Sequence, residues 1–138
     1  MRDPFHIRRL SYDAGKTLAQ TAGELNRSLV VLSSTDLTHY GENYGFMPKG
    51  RGRSALTWVR DFNDAGFINA VLAGDPKETL ARADKDQSAC SVGAVLGVLG
   101  FVEFTGAKKG QLLEYGTSAD LSGGIPGSFV GYAAISWE

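Results

Sequence analysis

The chain has 138 residues, 43% hydrophobic and 21% charged, with a formal net charge of -1. That supports one buried core rather than two, and it supplies no electrostatic reason for nucleic acid or an anionic membrane to be a partner. A single cysteine excludes an internal disulfide, and no apolar stretch has the length of a membrane span, so a cytoplasmic location is expected.

Residues 1–11 read as a short basic-apolar leader, with His6 exposed in it, ahead of a domain over residues 12–138. Ala14 to Asn26 places Leu18, Ala19, Ala22 and Leu25 at helical spacing, so a helix feeds the next element. That element, Leu29-Val30-Val31-Leu32, reads as a strand covered on both faces, as in a parallel sheet, and it leaves through Ser33-Ser34-Thr35 into a polar loop. Asp36 and His39 follow, where open α/β sheets place ligands. A carboxylate three residues from an imidazole can hold one ring nitrogen and leave the other for a metal or a proton.

Glu42 to Arg53 carries several glycines and aromatic residues and is expected to be a lid over the acid-histidine loop. Ser54 to Leu72 reads as a helix whose buried stripe includes Trp58, Val59, Phe62, Ile68 and Val71, with Gly66 as the place to bend. Asp75-Pro76-Lys77-Glu78 supplies an N-cap, a first-turn proline and a capping-box glutamate for a short helix to about Ala83. Ser88 opens an apolar helix ending at Gly106, in which Gly93, Gly97 and Gly100 clear one face for close backbone contact. Cys90 falls in its first turn, where free amides favour a thiolate, although a small buried hydrophobe is an equally ordinary use of cysteine. Gln111 to Thr117 and Phe129 to Trp137 read as two further strands around a turn-rich link. The order of elements predicts an α/β protein, a three-layer mixed sheet flanked by helices with an antiparallel element near its end.

Three blocks, Val30 to Tyr40, Ser88-Ala89-Cys90-Ser91, and Tyr115 to Asp120 followed by Phe129 to Ala134, resemble the Memo family. The resemblance is to its prokaryotic branch, AmmeMemoRadiSam system protein B, related in fold to class III extradiol ring-cleaving dioxygenases. It runs from about Tyr12 to the end and corresponds to the C-terminal half of a full-length member, so it implies a partial version of that fold. It further implies a pocket in which His39 and Cys90 join histidines of the N-terminal half, around iron or copper. Cys90 falls where the dioxygenases have a carboxylate ligand of non-haem iron, and His39 where they have a general base. Asp36 would orient His39, and Tyr40, Thr117, Ser118 and Asp120 would line the pocket. The N-terminal histidines are absent from this chain, so the site is incomplete without a second copy or another polypeptide, and an exposed strand edge is expected to drive such association. The resemblance also names possible partners, a radical-SAM protein and an AMMECR1-like protein. Two further readings stay open: metal-free hydrolysis with Cys90 as nucleophile, His39 as base and Asp36 as orienter, and a non-catalytic interaction module.

Overall fold

A computed structural model describes residues 4–107 and 110–138, and side chains from Arg9 onward; the side chain of His6 and the Lys108/Lys109 pair lie outside the described residues. The first helix, α1 (Pro4–Glu24), starts on a proline, which suits a first helical position because the N–H it lacks has no partner there. α1 continues without a break across residue 11 and ends in a turn where Asn26 takes φ 54°. It packs lengthwise on α5 (Val92–Thr105), as the glycine spacing predicts. A Cβ on Gly100 would strike the Tyr12 carbonyl, and one on Gly15 would strike the Gly97 carbonyl, so these two glycines set how closely the helix axes approach. α5 is closed by Gly106, at φ 73°, as expected.

Its start is different. Residues 88–91 are not helical, and Ser91 is the N-cap, so Cys90 stands just before the helix rather than in its first turn. The reason is a pair of outside hydrogen bonds: Cys90 N–H donates to the Asp36 carbonyl at 3.2 Å and Ser91 N–H to Thr35 Oγ1 at 2.9 Å.

The predicted long helix is α2 (Arg53–Trp58), a π-helical stretch (Val59–Asp64) and α3 (Ala65–Leu72) in continuous sequence. The wider π turn resets which positions face inward. Asn63 and Asp64 become buried, while Phe62, placed on the buried stripe by a regular 3.6-residue period, is 65% exposed. α4 (Pro76–Asp86) begins as predicted, the Asp75 carboxylate accepting from the amides of Lys77 and Glu78 at 3.0 Å each. Asp75→Ala is expected to lower stability by about 1 kcal/mol, measured by urea unfolding. The Glu78 side chain, free of the capping box, pairs with Arg82 at 2.8 Å instead.

Three strands, β1 (His39–Gly41), β2 (Gly110–Thr117) and β3 (Ser128–Trp137), form a sheet in the order β1-β3-β2. Both pairings are antiparallel, with Tyr40 opposite Phe129 and Thr117 opposite Gly131. The α/β class holds, but the expected mixed sheet with a parallel strand does not. Leu29-Val30-Val31-Leu32, expected to be a strand covered on both faces, belongs to no sheet, with Val30 93% and Leu32 94% exposed. An apolar run becomes a buried strand only when neighbours pair with it, and residues 28–35 make no backbone hydrogen bond among the described residues.

One core cluster joins Leu37, Phe67, Leu80 and Leu96 between the helices and the sheet, and a second gathers Tyr40, Val59 and Phe129. Among the described residues no helix is long and apolar enough to cross a membrane.

Candidate functional site

The chain enters the sheet through Leu37 and Thr38, which bracket Gly131: Leu37 N–H donates to its carbonyl and Gly131 N–H donates to the Thr38 carbonyl, both at 3.0 Å. This fixes the backbone on which Asp36 and His39 stand. Asp36 Oδ2 lies 3.6 Å from His39 Nε2, and His39 Nδ1 lies 3.3 Å from the Leu37 carbonyl oxygen. The ring therefore turns Nδ1 toward that carbonyl and Nε2 toward Asp36. A 3.6 Å separation is too long for a hydrogen bond. It is close to the ~3.4 Å between two ligands that each bind a tetrahedral ion at about 2.1 Å.

Cys90 is exposed and is joined to the same loop. Its N–H holds the Asp36 carbonyl, and its Sγ lies 3.7 Å from Thr35 Oγ1. Thr35 Oγ1 in turn donates to the Asp36 carbonyl at 3.1 Å. The Asp36 and His39 side chains are therefore neighbours, and the Cys90 backbone is joined to the same loop through the Asp36 carbonyl. The sulfur faces a threonine hydroxyl rather than the imidazole, so no hydrogen bond links nucleophile to base for metal-free hydrolysis. For a metal the donor set is short: among the described residues no three of His, Cys, Asp and Glu are placed to hold an ion. The described residues alone do not fit a closed site.

The loop expected to be a lid is tied down. Tyr40, 1% exposed, donates its hydroxyl to the Gly50 carbonyl at 2.9 Å and accepts from Lys49 N–H at 3.0 Å. Phe46 packs against Tyr40 and Trp58, and Glu42 pairs with Arg51. The loop supplies one wall to the site, the Tyr44 ring meeting His39 edge-on at 4.9 Å. Tyr40 itself points into the aromatic cluster.

Thr117, Ser118 and Asp120 form a turn between β2 and β3. Thr117 and Asp120 make a capping box, with Asp120 Oδ2 accepting from Thr117 N–H at 2.6 Å and Arg60 pairing to Oδ1. Ser118 Oγ accepts from Val130 N–H at 3.0 Å, and Val130 is the strand partner of His39. These side chains hold backbone; their connection to His39 runs through β3.

Sequence reasoning missed Asp64. Fully buried, it accepts from Thr38 N–H at 3.0 Å and Thr38 Oγ1–H at 2.5 Å through one oxygen, and from the Tyr115 hydroxyl at 2.8 Å through the other. Asn63 donates to Thr38 Oγ1 at 2.8 Å, completing a polar network around Thr38, the residue before His39. Burial raises the Asp64 pKa above its ordinary value, against the lowering effect of the Thr38 and Tyr115 hydrogen bonds. The Tyr115 hydroxyl is pushed upward as well, by burial and by the Asp64 charge. The available signal was the polar Asp61, Asn63 and Asp64 interrupting an apolar helix just before Gly66.

A cleft of about 890 Å³ adjoins the site, bounded by residues 29–33, the C-terminal part of α1, α5 and the end of β3. Thr35 and Leu37 line it, whereas Asp36, His39 and Cys90 do not.

Residues 4–136 match the family model described as Memo-like protein. Similar curated proteins include the MEMO1 family protein of Thermococcus onnurineus, 34% identical over 125 residues, an alignment covering 89% of this chain and 42% of that protein. The MEMO1 family proteins of Pyrococcus furiosus and Methanopyrus kandleri are each 32% identical, covering 91% and 94% of this chain but 43% and 41% of their own lengths. The chain thus spans about two-fifths of the curated relatives it matches. With the family model matching nearly its whole length, the chain belongs to the Memo-like family.

Proposed function

We propose that this chain carries one wall of a Memo-type metal pocket, of the AmmeMemoRadiSam system protein B kind, that takes non-haem iron or copper once other ligands complete it. The observation that supports the reading is Asp36 Oδ2 lying 3.6 Å from His39 Nε2, on a loop to which the Cys90 backbone is hydrogen-bonded. The donor chemistry agrees, since imidazole suits iron and copper and thiolate favours the softer ion, while a thiolate in a carboxylate's place changes the oxygen-activating face of the dioxygenases. Within the pocket, His39 Nε2 is the group that would bind the ion or move a proton, with Asp36 beside it. Titration of the purified chain with Fe(II) or Cu(II), followed by calorimetry, is expected to show weak binding that drops at least about tenfold in both His39→Ala and Cys90→Ala. Unchanged binding in the two variants removes the assignment. A second reading, an interaction module without catalysis, is supported by the exposed Val30 and Leu32.

A further inference from the structure

Residues 29–35 have the composition of a central strand and the surroundings of none. From Val30 on exposure alternates, with Val30, Leu32 and Ser34 outward and Val31, Ser33 and Thr35 half-buried, the period of an extended chain. Neither backbone edge is paired among the described residues, and Ser33 Oγ is buried with no hydrogen-bond partner. On one side lies the apolar cleft of about 890 Å³, walled by Ala19, Val95, Val98 and Ile135. A strand with apolar residues on both faces and both edges open is built for neighbours on each side.

We infer that residues 29–35 are a docking strand, and that its occupant is the remaining portion of the Memo-like fold, which pairs main chain to main chain along both edges and fills the cleft with apolar side chains. Two observations select that occupant over a second copy of this chain. The relatives hold more than half of their length outside the matched region, 58% in the Thermococcus onnurineus protein. A two-fold dimer would pair residues 29–35 with themselves along one edge only, leaving the other edge and the cleft uncovered. The inference is independent of whether the neighbouring pocket binds metal.

The test co-expresses this chain with a fragment of the Thermococcus onnurineus relative comprising the part outside the matched region. That relative's own matched segment serves as the control that the fragment is competent. A one-to-one complex is expected, with the amides of residues 29–33 strongly protected from hydrogen exchange when compared with the chain alone. Val30→Lys with Leu32→Lys should weaken the complex at least about tenfold while leaving thermal unfolding of the isolated chain unchanged, because both side chains are solvent-exposed in it. No complex where the control forms one overturns the inference. So does a complex in which residues 29–33 still exchange freely, or a homodimer that protects these amides and is not displaced by the fragment.

Discussion

Asp64→Ala is expected to lower folding stability by about 3 kcal/mol or more, because it strands three buried donors at once: Thr38 N–H, Thr38 Oγ1–H and the Tyr115 hydroxyl. The same change frees Thr38, the residue before His39, so the Asp36–His39 geometry should loosen in the fraction that still folds. Asp64→Asn separates shape from charge. Its oxygen can keep both Thr38 bonds and its amide can donate to Tyr115, whose hydroxyl turns to accept, so the loss should be nearer 1 kcal/mol. The two proteins should also differ in pH dependence. The folded-state pKa of Asp64 is raised above 3.8, so folding favours its protonated form. Its favourable contribution is complete below the unfolded pKa and is lost as pH rises through the folded value. Chemical denaturation across that range should show the stability gap between Asp64→Asn and the parent shifting in favour of the asparagine variant as pH rises. A gap that stays constant with pH would sink the assignment.

The second large effect lies between α1 and α5. Gly15→Ala and Gly100→Ala each place a methyl against a main-chain carbonyl of the opposite helix, which cannot rotate aside as a side chain could. Each should cost about 3 kcal/mol, at the upper end for overpacking. The double variant should cost less than the sum, since the separation forced by the first methyl makes room for the second. Gly97→Ala is the control: its added carbon would sit 3.5 Å from the Ser11 carbonyl, an ordinary contact. With helix propensity favouring alanine, Gly97→Ala should be neutral or stabilising by up to about 1 kcal/mol. Thermal melts of the four proteins check the pattern, and a destabilised Gly97→Ala would show that helix spacing has been misread.

Local chemistry made much of this fold legible. The Asp75-Pro76 cap, the Gly106 stop, the glycine face of α5 and the two C-terminal strands each depend on residues adjacent in sequence, and each is present. The failures are where distant atoms decide. Leu29 to Leu32 has a buried strand's composition, but a strand is defined by its neighbours, and none pairs with it here. Phe62 and Asp64 exchanged faces because a π turn broke the period on which the stripe depended. At the site, the nearness of Asp36 and His39 was legible in their spacing, while Asp64 was hidden because its role comes from Thr38 and Tyr115, 26 and 51 residues away. Thr117 and Asp120 answer to each other and to the turn they close.

Thr35 stands at the end of the unpaired segment and touches both sides of the site, accepting from Ser91 N–H and donating to the Asp36 carbonyl that Cys90 also holds. It acts as a fulcrum. A shift of residues 29–34 on gaining a partner would reach Asp36 along the main chain and Ser91 through this hydroxyl. Thermodynamic reciprocity then applies: if docking tightens an ion's binding by some factor, the ion tightens docking by the same factor, and Thr35→Val, which removes the hydroxyl link, should reduce that factor.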